Sequence, residues 1–272
     1  MKYAYLSLIS VALTLIGLQV TWWLVRYLKL ERLNFQKKSI PAGFGVMLVL
    51  SSTPVYLYML SISSERRPAA MFLAAVIGFG VVGLIDDLYG SRRAGGFRGH
   101  FGLLLKGKLS TGLMKALVGG VLALALGYVA GGHRLLPGIL NGAIIALSAN
   151  CLNLFDLRPG RAVSCFWLII VAVAIGKAGR LSEWHELMPV MVPAVALTVL
   201  DRSALVMMGD AGSNVLGAVA GLVMVFELGL TAKLIILGLL VGIHVYAEKY
   251  SISGLIERNG TLRRIDCMLG KR

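Results

Sequence analysis

The chain has 272 residues, of which 57% are hydrophobic and only 15% charged, and its mean hydropathy is +0.81. That balance excludes an ordinary soluble domain, which carries far more charge, and implies an all-α, polytopic integral membrane protein. The formal net charge of +14 reads as a topology signal together with a basic rim that attracts anionic headgroups and anionic solutes; no nucleic-acid partner is expected.

Nine apolar stretches, each near the ~20 residues a bilayer requires, follow in chain order: about 3–27, 44–62, 69–87, 111–131, 137–155, 163–179, 187–201, 212–229 and 231–248. The first has Lys2 alone before it and no A-x-A site after it, but a strong basic flank from Arg26 to Lys38. It therefore reads as an uncleaved span with its N-terminus outside. Nine such helices leave one polytopic domain over 1–272 with a basic cytoplasmic tail at 249–272, and no room for a soluble domain. The longest connection, about 88–110, is the one large enough to cover a site. With this threading, 20 of the 27 basic residues fall on the cytoplasmic side, the bias expected of inward-facing loops. Cys151, Cys165 and Cys267 form no CxxC pair and no zinc spacing, so packing or a free thiol is expected.

Of 13 acidic residues, four stand in polar breaks of the apolar runs, and the threading puts all four on the cytoplasmic face. Acid at a membrane helix is costly, roughly 2.5–3.5 kcal/mol at a span centre, so such residues are functional candidates. Asp86 and Asp87, in GLIDDLYG, end the third span; adjacent helical positions point about 100° apart, so the two serve different roles. Asn150, Asn153 and Asp156, in NCLNLFDLRPG, recur every three residues until Pro159 and Gly160 end the helix. Two amides and an acid suit a base or sugar hydroxyls, or else hydrogen-bond between helices. Arg158 and Arg161 adjoin that face, where a diphosphate could use them. In MGDAGSNVLG, Gly209 and Gly212 permit close backbone approach, Ser213 and Asn214 sit where the next helix's free N–H groups emerge, and Asp210 either ligates a metal or caps the helix. Clustered carboxylates repel unless a cation lies between them, and hard oxygen ligands suit a Mg²⁺ that also holds phosphate. Metal-assisted phosphoryl chemistry at a membrane surface is the expectation.

In this order the motifs resemble the polyprenyl-phosphate N-acetylhexosamine-1-phosphate transferase superfamily, which includes the phospho-MurNAc-pentapeptide translocase of peptidoglycan synthesis and the GlcNAc-1-phosphate transferases. The resemblance spans about 34–217. It rests on Lys37, Pro41 and Gly45 against a P-x-x-G-G loop, Asp86, Asp87 and Gly90 against DDxxG, Asn150, Asn153 and Asp156 against N-x-x-N-x-x-D, and Gly209 to Gly217 against G-D-x-G-S-x-x-L-G. It implies that Asp86, Asp87 and Asp156 are catalytic, that Asp210 with Asp87 holds Mg²⁺, and that Lys37, Asn150, Asn153 and Ser213 bind substrate; Arg158 and Arg161 join the substrate residues because they adjoin the Asn/Asp face. The implied reaction transfers a sugar-1-phosphate from a UDP-sugar to polyprenyl (undecaprenyl) phosphate at the cytoplasmic face of the plasma membrane, releasing UMP, in an enzyme compatible with homodimerisation.

The chain departs from the pattern at two places. Leu157 and Pro159 stand where the family continues to a second acid, and the histidine-rich stretch of the last cytoplasmic loop is absent, with His244 alone nearby. Arg158, Arg161, Arg258, Arg263 or Arg264 could replace the phosphate contacts, the first pair because it adjoins the Asn/Asp face. The alternative is a catalytically reduced member that binds polyprenyl phosphate or an envelope partner without turnover. A transporter is disfavoured because the acids lie at one face rather than at the midplane.

Overall fold

A computed structural model of the chain describes residues 2–62, 66–90, 111–179 and 184–270. Most of the expected covering connection, 91–110, lies outside them. The described residues form eleven helices and one two-stranded hairpin: α1 (Lys2–Tyr27), β1 (Glu31–Leu33), β2 (Ser39–Pro41), α2 (Val46–Ile62), α3 (Arg67–Tyr89), α4 (Thr111–Ala130), α5 (Leu135–Phe155), α6 (Arg161–Gly176), α7 (Trp184–Arg202), α8 (Gly209–Glu227), α9 (Leu230–Lys249), α10 (Ile252–Arg258) and α11 (Gly260–Leu269). Each of the nine predicted apolar stretches coincides with one of α1 to α9. Six of these, α1, α3, α4, α5, α8 and α9, are long and apolar enough to cross a membrane.

Helix α8 is the axis of the bundle. It packs on α5 and α3, with α6, α2 and α4 completing its surround, and 83% of its most apolar window is buried. Its sequence permits this: a side chain at Gly45 would collide with the backbone of Gly212 at 2.1 Å, and one at Gly83 with the carbonyl oxygen of Asp210 at 2.4 Å. The first turn of α8 is therefore wedged between the start of α2 and the end of α3, which only residues lacking Cβ allow.

Helix α7 contains Pro189 and Pro193. Pro193 has no N–H for the carbonyl four residues back, at Pro189. The Ser52 hydroxyl of α2 donates to that oxygen at 2.8 Å, and Tyr56 donates to the Glu186 carbonyl at 2.6 Å. In an apolar surround such replacement is what makes a proline-bearing helix tolerable.

Between α1 and α2 the chain makes a short antiparallel hairpin pairing Glu31 with Pro41 and Leu33 with Ser39. The Asn34 side chain closes its turn by accepting from the N–H groups of Gln36 and Lys38, both at 2.9 Å. The hairpin folds over the end of the bundle where α3, α5 and α7 finish and α4, α6 and α8 begin. That end holds the candidate site.

Candidate functional site

Around the first turn of α8 lies a cavity of about 720 Å³, lined by Asp86 and Asp87 of α3, Asn153 of α5, Asp156, Arg158 and Pro159 of the turn after it, Asp201 of α7, Gly209 and Asp210 of α8, and Arg32, Asn34 and Phe35 of the hairpin. The four acids singled out in the sequence thus meet in one space.

Asp87 performs a task its sequence position does not announce. Its two oxygens accept from the backbone N–H groups of Asp210 and Ala211, each at 3.0 Å, so a carboxylate from α3 caps α8. A negative group at a helix N-terminus satisfies free donors and complements the positive end of the helix dipole. Gly209 fits the arrangement: its φ is +73°, and a side chain there would come within 2.8 Å of both Asp87 oxygens. The backbone carbonyl of Asp87 is held by Arg32, whose Nη2 donates at 2.6 Å.

Capping by Asp87 leaves the Asp210 side chain to face the cavity rather than its own helix end. Its Oδ2 accepts from Lys115 Nζ, and the same ammonium lies 3.8 Å from Asp86 Oδ2. Asn153 bridges the group. The amide orientation that satisfies all its neighbours donates to Asp210 Oδ1 at 3.1 Å and to Ser213 Oγ at 3.2 Å and accepts from Lys115 at 2.8 Å. Ser213 is fully buried and also donates to the Gly209 carbonyl at 3.1 Å, so it stands behind Asn153 and Asp210 as a support.

The other side of the cavity is built on the α5–α6 turn. Asp156 ends α5, and burial, reinforced by the nearby carboxylates of Asp201, Asp210 and Asp87, holds its carboxyl well above the usual range; a hydrogen bond from the Gly209 backbone offsets this only in part. Asp201 is buried and accepts from the Gly160 N–H at 2.8 Å. The guanidinium of Arg158 lies 5.7 Å from the Phe35 ring centroid and 3.7 Å from Glu257, with a third of its side chain still exposed.

Three expected substrate residues are elsewhere. Arg161 is buried, and its guanidinium is bidentate on Asp266, at 2.5 and 2.9 Å, with Ser253 at 2.8 Å; it does not line the cavity, because a fork so engaged cannot also hold a phosphate in that space. Lys37 is an exposed turn residue of the hairpin with φ +60°, and Asn150 is exposed one turn back on α5; neither lines the cavity. Conversely, Lys115, Arg32 and Asp201 enter the site without having been singled out. Lys115 carried a usable signal, a lone cation one turn inside an apolar helix, but it reads equally as a topology residue. Arg32 and Asp201 carry none, since only folding brings them there.

Among the described residues no three His, Cys, Asp or Glu side chains converge as a metal site. Mg²⁺ needs only one or two carboxylates when phosphates and water supply the remaining ligands. Asp86 and Asp210 already converge on one cation, the Lys115 ammonium, so the donor set fits such an ion. Asp87, engaged by two amides, is the less available of the expected metal pair. Comparison with protein-family models finds no match, and no curated protein matches the chain.

Proposed function

We propose that the protein is a Mg²⁺-dependent transferase that moves a sugar-1-phosphate from a UDP-sugar onto polyprenyl phosphate. The observation that carries this reading is the convergence of Asp86, Asp210 and Asn153, with Lys115 beside them, at a cavity at one end of an apolar bundle. The nine helices α1 to α9 are taken as nine spans, with the N-terminus outside and the cavity and tail at the cytoplasmic face of the plasma membrane. A lipid phosphate can then reach the cavity from the membrane and a sugar nucleotide from water.

In this reading an oxygen of the lipid phosphate attacks the β-phosphorus of the UDP-sugar and UMP departs. A phosphate monoester is largely ionised near neutral pH, so removing a proton from it is not the difficult step. Positioning and charge neutralisation are. When bound, Mg²⁺ would be held by Asp210 and Asp86 and would supply neutralisation of the diphosphate charge. Lys115 keeps those carboxylates together in its absence. Arg158, which lines the cavity with a third of its side chain exposed, takes a donor phosphate, while Asn153 and Asp156 offer the donors and acceptors that a nucleoside requires. Asp87 is a positioning residue: by capping α8 it fixes where Asp210 stands.

The test is UMP release by purified protein supplied with undecaprenyl phosphate, Mg²⁺ and a panel of UDP-sugars. A second reading, binding of polyprenyl phosphate without turnover, is favoured by one observation: Lys115 already occupies the space between the two carboxylates. Lipid binding with no UMP release from any donor would select it.

A further inference from the structure

The last two helices form a surface that the cavity does not use. Helix α11, GTLRRIDCML, exposes Leu262, Ile265 and Met268, the last 74% exposed, at spacings that put them on one side of the helix. Arg263 and Arg264 are exposed beside them, and Arg258, also exposed, ends α10. The one acid of α11, Asp266, is buried and neutralised by Arg161. A helix with an exposed apolar face and arginines that no salt bridge among the described residues engages has the composition of an interfacial helix rather than of a water-exposed tail.

Its anchorage sets its height. Besides the Arg161–Asp266 pair, Arg202 at the end of α7 donates to the Met268 carbonyl at 2.6 Å. Any side chain at Gly160 would collide with the Leu269 carbonyl oxygen at 2.1 Å. All three attachments are to the N-cap or first residue of α6 or to the last residue of α7, where those helices stop. With α6 and α7 read as spans, a helix pinned to that level would lie at the plane where acyl chains give way to headgroups.

We propose that α11 docks on the anionic headgroups of the bilayer that holds the bundle, with Leu262, Ile265 and Met268 in the acyl boundary and Arg258, Arg263 and Arg264 on lipid phosphates. Anionic lipid is the occupant that matches both the apolar stripe and the local excess of positive charge. Through Asp266 and Arg161 the docked helix also bears on the 156–161 turn, which walls the cavity. The inference rests on the nine-span reading of the bundle and does not depend on the transferase reading.

The test uses full-length protein in nanodiscs, with an environment-sensitive fluorophore on Ile265→Cys in a Cys165→Ser, Cys267→Ser background. In discs rich in phosphatidylglycerol the probe should be quenched by lipid-borne nitroxides and shielded from aqueous iodide, and the shielding should fall in purely zwitterionic discs. Arg263→Glu with Arg264→Glu should weaken it by about fivefold for each arginine reversed. If that pair of reversals disrupts folding, Arg263→Gln with Arg264→Gln, or added salt on the unreversed protein, reads the same dependence; Arg134→Glu, at the other end of the bundle, should change nothing. Equal iodide access in both lipids would overturn the proposal by placing the helix in water. Shielding that ignores lipid charge but vanishes when discs hold a single copy would overturn it in favour of contact with a second copy of the chain.

Discussion

At the far end of the bundle, Glu227 closes α8 with its carboxylate 3.7 Å from Lys177, and Lys233 donates to Asn141 at 3.1 Å. At the near end, Asp86, Asp87, Asp156, Asp201 and Asp210 gather in the lining of one cavity, with Arg32, Arg158 and the adjacent Lys115 among them. Both ends carry ionisable groups on membrane helices, but they are organised differently. Glu227 and Lys233 each meet a polar side chain of a neighbouring segment, and the groove described there, about 290 Å³ between α6, α8 and α9, is lined only by apolar side chains and glycine. Among the described residues the near-end cavity is lined by more carboxylates than cations, with space beside them. Pairing without space serves packing; surplus charge beside space invites a ligand of opposite or mixed charge.

The comparison breaks most visibly at Asp210. Asp210→Asn keeps the size and removes the charge, and should lower UMP release by more than roughly a hundredfold, because even groups behind a metal's own ligands are worth 10–100-fold. Normal turnover in a folded Asp210→Asn protein would remove the near end's claim to chemistry. Next in size is Arg158→Ala: the apparent KM for the sugar nucleotide should rise about tenfold, as expected for losing a hydrogen bond to a charged group worth roughly 1.5–3 kcal/mol, while that for the lipid changes little. Equal rises in both would show that the arginine does not distinguish the two substrates.

Asp156 sharpens the comparison through pH. Burial favours its neutral form, so its contribution to stability is full in acid, below the range where a free carboxyl ionises, and is lost as pH rises through the elevated value. Thermal unfolding in detergent should show a Tm that declines across that interval, and Asp156→Asn should flatten the decline. A slope that survives the substitution would assign it to another group. The smallest effect belongs to the far end. Glu227→Gln should leave UMP release within about twofold and lower Tm by a few degrees at most, since a pair with one partly exposed member contributes on the order of 1 kcal/mol. A loss of turnover comparable to that of Asp210→Asn would erase the distinction between the ends.

Much of this was legible in the residues. Apolar runs of span length, ended by Gly, Pro and charge, determined where the helices fall, because backbone groups in an apolar surround must pair within their own helix. The polar breaks likewise marked Asp86, Asp87, Asn153, Asp156 and Asp210 as neighbours, since an acid in such a chain needs a use. Roles were less legible than places. That Asp87 caps α8 while Asp210 faces Lys115 depends on how closely α3 approaches a helix more than a hundred residues away in sequence. Arg161 looked like a partner for phosphate because it adjoins the Asn/Asp face, yet it meets Asp266 in a tail whose position no local pattern encodes. Burial was decided only by the tertiary structure as well. Helices α8 and α9 have windows of similar hydropathy, 1.4 and 1.9, but 83% of one and 6% of the other is buried. Lipid and protein interior are equally apolar, so hydropathy alone cannot separate a helix that faces one from a helix that faces the other; the glycines were legible, but which backbones they bring together, Gly45 on Gly212 and Gly83 on Asp210, was decided by the packing that puts α8 at the centre.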